Sequence, residues 1–352
     1  MGLALRKSSP QLIQSGPRFE QVPNGDAAQK KDDSAKLAAH LINLNVSATD
    51  KAGKAILGLK KEDFIIEEDG IPQKIASFST EQSPFNLVLL IDLSTGMREE
   101  IDLLRDMAAN FINVISPLDS VAVVTFSSDV IVVSSLTKDR EELRDSIQSM
   151  IAPVGGTAFY DALGFAVAET LRNVKGQRNA VIAITDGEDN ALQSELAFQS
   201  GSASIAAGSF LTFDELQDGV KEADAIIYPI QLNPAASTPN TVIASGSPNL
   251  PAPKVQIQTN VDTRKLSTSA LTDIATRQLH ALADVSGGTF YHANRIEDLK
   301  VVFEKIGAEL RTVYSVAYTP ANSRFDGTIR RIRVRVNNPD VVIHTRPGYY
   351  GR

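Results

Sequence analysis

The 352-residue sequence contains no cysteine and no tryptophan. Without cysteine there is no disulfide framework, no thiolate-bound zinc, no iron–sulfur centre and no thiol nucleophile. The compartment stays open on this count, because a cysteine-free chain suits oxidising and reducing surroundings alike. Aromatic residues make up only 6%, too few for the stacking platforms that hold single strands or sugars. A basic excess is missing as well: 35 Lys+Arg face 42 Asp+Glu, a formal charge of −7. Surfaces that neutralise phosphate backbones show the opposite balance, so nucleic acid is not an expected partner. No apolar run reaches the roughly 20 residues of a spanning helix, and no membrane span is expected. Residues 1–16 put Arg6 and Lys7 after a short apolar patch, the reverse of the order in a secretory signal. The expectation is a chain that stays inside, or one whose leader precedes Met1.

What is present is material for a core. Hydrophobic residues make up 43% and charged residues 22%, and the length suits about two domains. Residues 1–36 are polar, with Pro10, Pro17, Pro23 and the cluster Lys30-Lys31-Asp32-Asp33, and read as a disordered tail. Residues 37–83 read as short β segments. Ile42, Leu44, Val46 and Ala48 alternate with polar neighbours, and Asp/Gly turns separate this strand from Phe64–Glu68 and Gln73–Phe78.

From residue 84 the pattern changes. Leu87–Ile91 and Ala180–Ile184 are continuous apolar runs, the mark of strands covered on both faces, and Val121–Phe126 is another apolar strand. Helical periodicity lies between them, near 100–115, 140–150 and 158–174, and again at 213–223, 269–285 and 296–310. Val130–Val133 follows Phe126 too closely for a helix, so that pair is expected as an antiparallel edge hairpin. Alternating strands and helices predict an α/β fold, a doubly wound, mostly parallel, Rossmann-like sheet over 84–312. The Ser/Ala/Gly-rich stretch 190–212 and the Pro-rich stretch 233–265 read as loose insertions. Residues 313–352 return to alternation, with Arg331, Arg333 and Arg335 on one wet face. They are expected to complete a small antiparallel β unit begun by 37–83.

Ligand sites in open α/β sheets lie at the carboxyl ends of the strands. Asp92-Leu93-Ser94 follows the first apolar strand, Thr185-Asp186-Gly187-Glu188-Asp189 follows the third, and Gly155-Gly156-Thr157 precedes a helix. Two carboxylates, Asp92 and Asp186, with the hydroxyls of Ser94 and Thr157, make an oxygen-only set suited to a hard cation: Mg²⁺, Mn²⁺ or Ca²⁺. Singly, each piece has an ordinary structural reading. Asp92 suits a turn or cap, Asp186-Gly187 is a common turn dipeptide, and Thr157 suits a helix N-cap. Glu188 and Asp189 read as a solvated turn, and Asp161 as a residue serving only its helix dipole. His40, His280, His292 and His344 show no i, i+4 pair, so no histidine metal site is expected.

The order Asp92, Ser94, Thr157, Asp186 resembles the metal-ion-dependent adhesion site of von Willebrand factor type A (VWFA) domains, whose motif is Asp-x-Ser-x-Ser followed by a distant Thr and a distant Asp. Gly96 occupies the position of the missing third hydroxyl. The flanking pieces Leu59-x-x-Glu62-Asp63-Phe64, Glu68-Asp69-Gly70-x-Pro72-Gln73 and Arg346-x-Gly348-Tyr349-Tyr350 resemble a bacterial subgroup in which β segments bracket the domain. The resemblance implies a non-enzymatic protein–protein interaction or adhesion module. It would bind a protein or peptide ligand, through an acidic side chain, at a degenerate site holding Mg²⁺ or a similar ion weakly or not at all. It also implies a periplasmic or extracellular location. The alternatives are a structural or assembly protein with a dead metal site and, further off, a metal-dependent phosphohydrolase. No Gly-x-x-x-x-Gly-Lys-Ser/Thr loop, Gly-x-Ser-x-Gly elbow or second carboxylate beside Asp92 supports the enzyme.

Overall fold

The computed structural model describes residues 11–12, 41–51, 54–80, 84–94, 100–152, 155–174, 177–190, 208–232 and 268–351. Gly96, the stretch 233–265 and most of the 1–36 and 190–212 stretches lie outside the described residues. In chain order the strands of the first part are β1 (Gln11–Leu12), β2 (Ile42–Thr49), β3 (Phe64–Glu68), β4 (Ile71–Gln73) and β5 (Ile75–Ser79). The middle part runs β6 (Phe85–Asp92), α1 (Ile101–Val114), β7 (Ser120–Phe126), β8 (Val130–Thr137), α2 (Arg140–Gln148), α3 (Phe159–Phe165), β9 (Arg178–Thr185), α4 (Phe213–Glu222), β10 (Ile226–Leu232), α5 (Thr268–Ser286), β11 (Tyr291–Ala293) and α6 (Leu299–Leu310). The last strands are β12 (Tyr314–Tyr318), β13 (Ile329–Val336), β14 (Val342–His344) and β15 (Gly348–Tyr350).

The large sheet has the order β1-β8-β7-β6-β9-β10-β11. Strands β7, β6, β9, β10 and β11 are parallel, and β8 is the antiparallel edge partner of β7. Every residue of β6 and β9 is buried. The reason is visible in β6. Leu87, Leu89 and Ile91 pack with Leu104 and Phe111 of α1, Leu143 of α2 and Phe303 of α6. Val88 and Leu90 point the other way, to Leu163 of α3, Val220 of α4 and Leu282 of α5. Helices therefore cover both faces, and the doubly wound expectation holds. Two residues of the stretch read as a disordered tail, Gln11–Leu12, pair antiparallel with Val132 and Ile131 on the β8 edge.

The flanks form two antiparallel sheets rather than one, β14-β2-β12-β5 and β15-β13-β3-β4. The central pair of each joins an N-terminal to a C-terminal strand: β2 with β12, and β3 with β13. Leu44, Val46, Phe64, Ile66, Val316, Ile332 and Val334 share their core. Inside this core the carboxylate of buried Glu68 accepts hydrogen bonds from Tyr318 (2.7 Å) and Tyr349 (2.9 Å). Arg331, Arg333 and Arg335 are exposed as the alternation predicts, and Arg335 pairs with Glu67. Their neighbour Arg330 is buried and pairs with Asp326 at 2.9 Å.

The two parts join at the amino ends of the parallel strands. Arg178, the first residue of β9, donates to the carbonyls of Leu310 (3.3 Å) and Val313 (2.9 Å) and lies 4.2 Å from the centre of the Phe85 ring. The β unit therefore sits at the pole opposite the carboxyl ends. One expected helix is broken. The periodicity over 158–174 becomes α3, a widened π turn at Ala166–Thr170 and a 3₁₀ turn at Arg172–Val174. Leu171 N–H reaches the Ala166 carbonyl five residues back, the mark of a π turn.

Candidate functional site

Strands β6 and β9 are parallel neighbours with Ile91 opposite Ile184. This register places Asp92, the last residue of β6, beside Thr185, with Asp186 one residue beyond the end of β9. Asp92 is wholly buried. Its Oδ1 accepts the Ser94 amide at 2.8 Å and its Oδ2 accepts the Thr185 hydroxyl at 2.8 Å. The Thr185 hydroxyl oxygen in turn accepts the Gly187 amide at 2.9 Å. Gly187 has φ +84, a left-handed backbone conformation that favours glycine at this turn. Asp186 Oδ1 accepts the Glu188 amide at 3.0 Å, closing an Asx turn.

Thr157 reaches the same pole. Its amide donates to Asn190 Oδ1 (3.2 Å), and the Asn190 amide donates to the Thr157 carbonyl (2.9 Å). The Gly156 amide donates to Ser128 Oγ at 2.6 Å, and the Ala158 amide to the Ser127 carbonyl at 2.7 Å. The loops after β7 and β9 and the one before α3 are thus bonded together, and Asp92, Ser94, Thr157 and Asp186 all lie at the carboxyl ends of β6, β7 and β9. Thr157 does not cap α3: the N-cap position is Ala158, without a side-chain cap.

Electrostatics at this pole are unbalanced. Burial pushes the Asp186 carboxyl up to about 7, and the neighbouring Asp92 carboxylate adds to the shift. Burial likewise raises Asp92, against the hydrogen bonds from Ser94 and Thr185. Among the described residues no ion pair reaches either group. Nor do the described residues hold a cluster of three or more His, Asp or Glu placed for a metal. Any cation here would rest on two carboxylates and neutral oxygens.

Three readings of single residues are corrected. Asp189, expected in a solvated turn, is wholly buried. It accepts the Tyr160 amide (2.9 Å), the Ser209 amide (3.1 Å) and the Ser209 hydroxyl (2.7 Å). Asp161, expected to serve only its helix dipole, accepts the amides of Phe210 and Leu211, each at 2.9 Å. The two aspartates strap residues 209–211 to the start of α3. Glu188 is not free in solvent either, since it accepts the Thr272 hydroxyl at 2.8 Å. Sequence reasoning missed Thr185, Ser128 and Asn190. Only Thr185 carried a signal, a hydroxyl in the last position of an apolar strand.

Comparison with known proteins bears on this region. Residues 87–188 match the family model of the von Willebrand factor type A domain. No curated protein matches the chain. Among solved structures, similarity is found to the conserved hypothetical protein BatB from Bacteroides thetaiotaomicron, at 15% identity and TM-score 0.39, over 63% of this chain and 97% of that one. The vWF domain of the type V pili tip protein Mfa5 from Porphyromonas gingivalis is 13% identical with TM-score 0.43, over 64% and 94%. A mutant of the PilB minor pilin from Streptococcus sanguinis is 12% identical with TM-score 0.47, over 66% and 62%. These identities are too low to carry function. The matched residues span β6 to the loop after β9, with Asp92, Ser94, Thr157 and Asp186 all inside them, and the chain contains a von Willebrand factor type A domain.

Proposed function

We propose that the protein is a non-enzymatic binding module that engages a protein or peptide partner at the carboxyl-end pole of its large sheet. In this reading Asp92, Ser94, Thr157 and Asp186 hold a divalent cation, Mg²⁺ or the similar Mn²⁺ or Ca²⁺, and a carboxylate of the partner takes an open position on it. One observation carries the reading: the buried Asp92 carboxylate and the neighbouring, half-buried Asp186 carboxylate, at a loop-lined strand end, have no basic partner among the described residues. Burying charge without compensation is costly, and a bound cation supplies the compensation. The donor set is oxygen only, as hard cations prefer. Gly96 withholds one hydroxyl, and water filling that place would weaken the ion by about 1–3 kcal/mol.

Titration calorimetry of the full chain with MgCl₂ and MnCl₂ tests this. Binding that vanishes in Asp186→Ala is the expected result. Flat titrations of the folded wild-type chain at millimolar Mg²⁺, Mn²⁺ and Ca²⁺ would overturn the cation. Gly96 favours a second reading, a structural or assembly role in which partner binding survives a chelator. Hydrolysis of a generic phosphate ester, lost in Asp92→Asn, would instead favour an enzyme.

A further inference from the structure

The opposite pole carries a second concave site. A cleft of about 560 Å³ opens where the β unit meets the large sheet, between the loop 57–62, the end of β5 and the segment 311–314. Volumes of this order are typical of ligand sites. Its walls are held in place. The Tyr314 hydroxyl donates to the Ile56 carbonyl at 2.8 Å and accepts the Leu59 amide at 3.2 Å. It thereby fixes the loop that turns at Gly58, where φ is +80. Phe78 stacks on Tyr314 with ring centres 6.0 Å apart. At the rim Leu57 is 70% exposed, a large apolar side chain left in water beside an aromatic wall.

The charge of the cleft is the reverse of the chain's. Lys60, Lys61 and Arg311 line it against a single acid, Glu62. All three cations are exposed. Among the described residues none of them forms an ion pair. The recorded bond of the Arg311 guanidinium is a long one, 3.3 Å, to the Val114 carbonyl. On a molecule of net charge −7, three cations beside exposed apolar surface form a local field that favours anions and guides their approach.

We propose that this cleft binds an acidic peptide segment carrying a large apolar side chain. The apolar side chain lies against Leu57 and Phe78, and the flanking carboxylates meet Lys60, Lys61 and Arg311. The site goes beyond the function proposed above. It stands at the other pole and needs no cation, so the two can fail separately.

Fluorescence anisotropy of the full chain in EDTA with labelled peptide EDFLDE, and with its neutral counterpart QNFLNQ, tests the proposal. The expected result is saturable binding of the acidic peptide that weakens with salt. It falls by about tenfold or more in the exposed triple variant Lys60→Glu, Lys61→Glu, Arg311→Glu, falls also in Leu57→Ser, and is unchanged in Asp186→Ala. Circular dichroism of each variant confirms that it is folded. Equal affinity for the two peptides, undiminished binding in the triple variant, or no binding at all would overturn the proposal. So would binding to phosphatidylserine vesicles with none to the peptide, which would make the cleft a lipid contact.

Discussion

At the scale of single residues, the most consequential group outside the candidate site is Glu309. It is buried where the last turn of α6 meets the β unit. Burial pushes its carboxyl up to about 7 from an ordinary 4.5, against the hydroxyls of Tyr291 and Thr289, which donate to it at 3.3 Å. Between those two values the folded chain keeps a proton that the unfolded chain has lost. The resulting stabilisation is complete below the unfolded value and disappears as pH rises through about 7. Glu309→Gln lacks this dependence. Its stability relative to wild type is expected to rise between pH 5 and pH 8, by up to about 3 kcal/mol. Urea unfolding of both chains at the two pH values checks this, and parallel profiles would refute it. Taking the difference removes Asp186, which titrates in the same range. Nothing in the sequence marks Glu309. It sits in an ordinary amphipathic helix, and its burial depends on distant groups such as Tyr291 of β11 and Thr289, which donate to it.

At the scale of elements, Asp189 and Asp161 join the entry of α3 to residues 209–211. Asp189→Ala would leave the Tyr160 and Ser209 amides without their acceptor in a buried place. A loss of about 2–3 kcal/mol is expected, with faster hydrogen exchange at Tyr160 and Ser209 than elsewhere in the domain. Unchanged exchange at these two amides would show that the strap carries no load. The contrast with what was legible beforehand is physical. Leu87–Ile91 and Ala180–Ile184 announced themselves because a strand buried on both faces has to be apolar throughout. Ile42 to Ala48 and Ile332 to Val336 did so because one-sided burial imposes a period of two. Asp92 and Asp186 were legible from their places at the ends of such strands. Asp189 was not, because Asp-Gly-Glu-Asp reads locally as a turn and its burial depends on Ser209, 20 residues away. The π turn after α3 was equally hidden, since an apolar pattern over 158–174 does not record one extra residue in a turn.

At the scale of the whole molecule, the large sheet from β6 to β11 and its helices are an insertion between the two halves of the β unit. The chain enters at Phe85 and leaves at Leu310, and β2 and β3 find their central partners, β12 and β13, only after that excursion. This connectivity decides how the molecule bears tension. A pull applied at residues 41 and 351 meets the antiparallel ladders of the β unit first, because those ladders bridge the two points while the inserted body hangs from them unloaded. Single-molecule stretching between these positions is expected to release the flanks first, roughly 30 nm of chain at about 3.6 Å per residue, before the inserted body yields. A single rupture releasing both at once would contradict this. The β unit then acts as a mechanical fuse in series with the anchor points, and the pole carrying Asp92 and Asp186 keeps its shape under any load that the fuse survives.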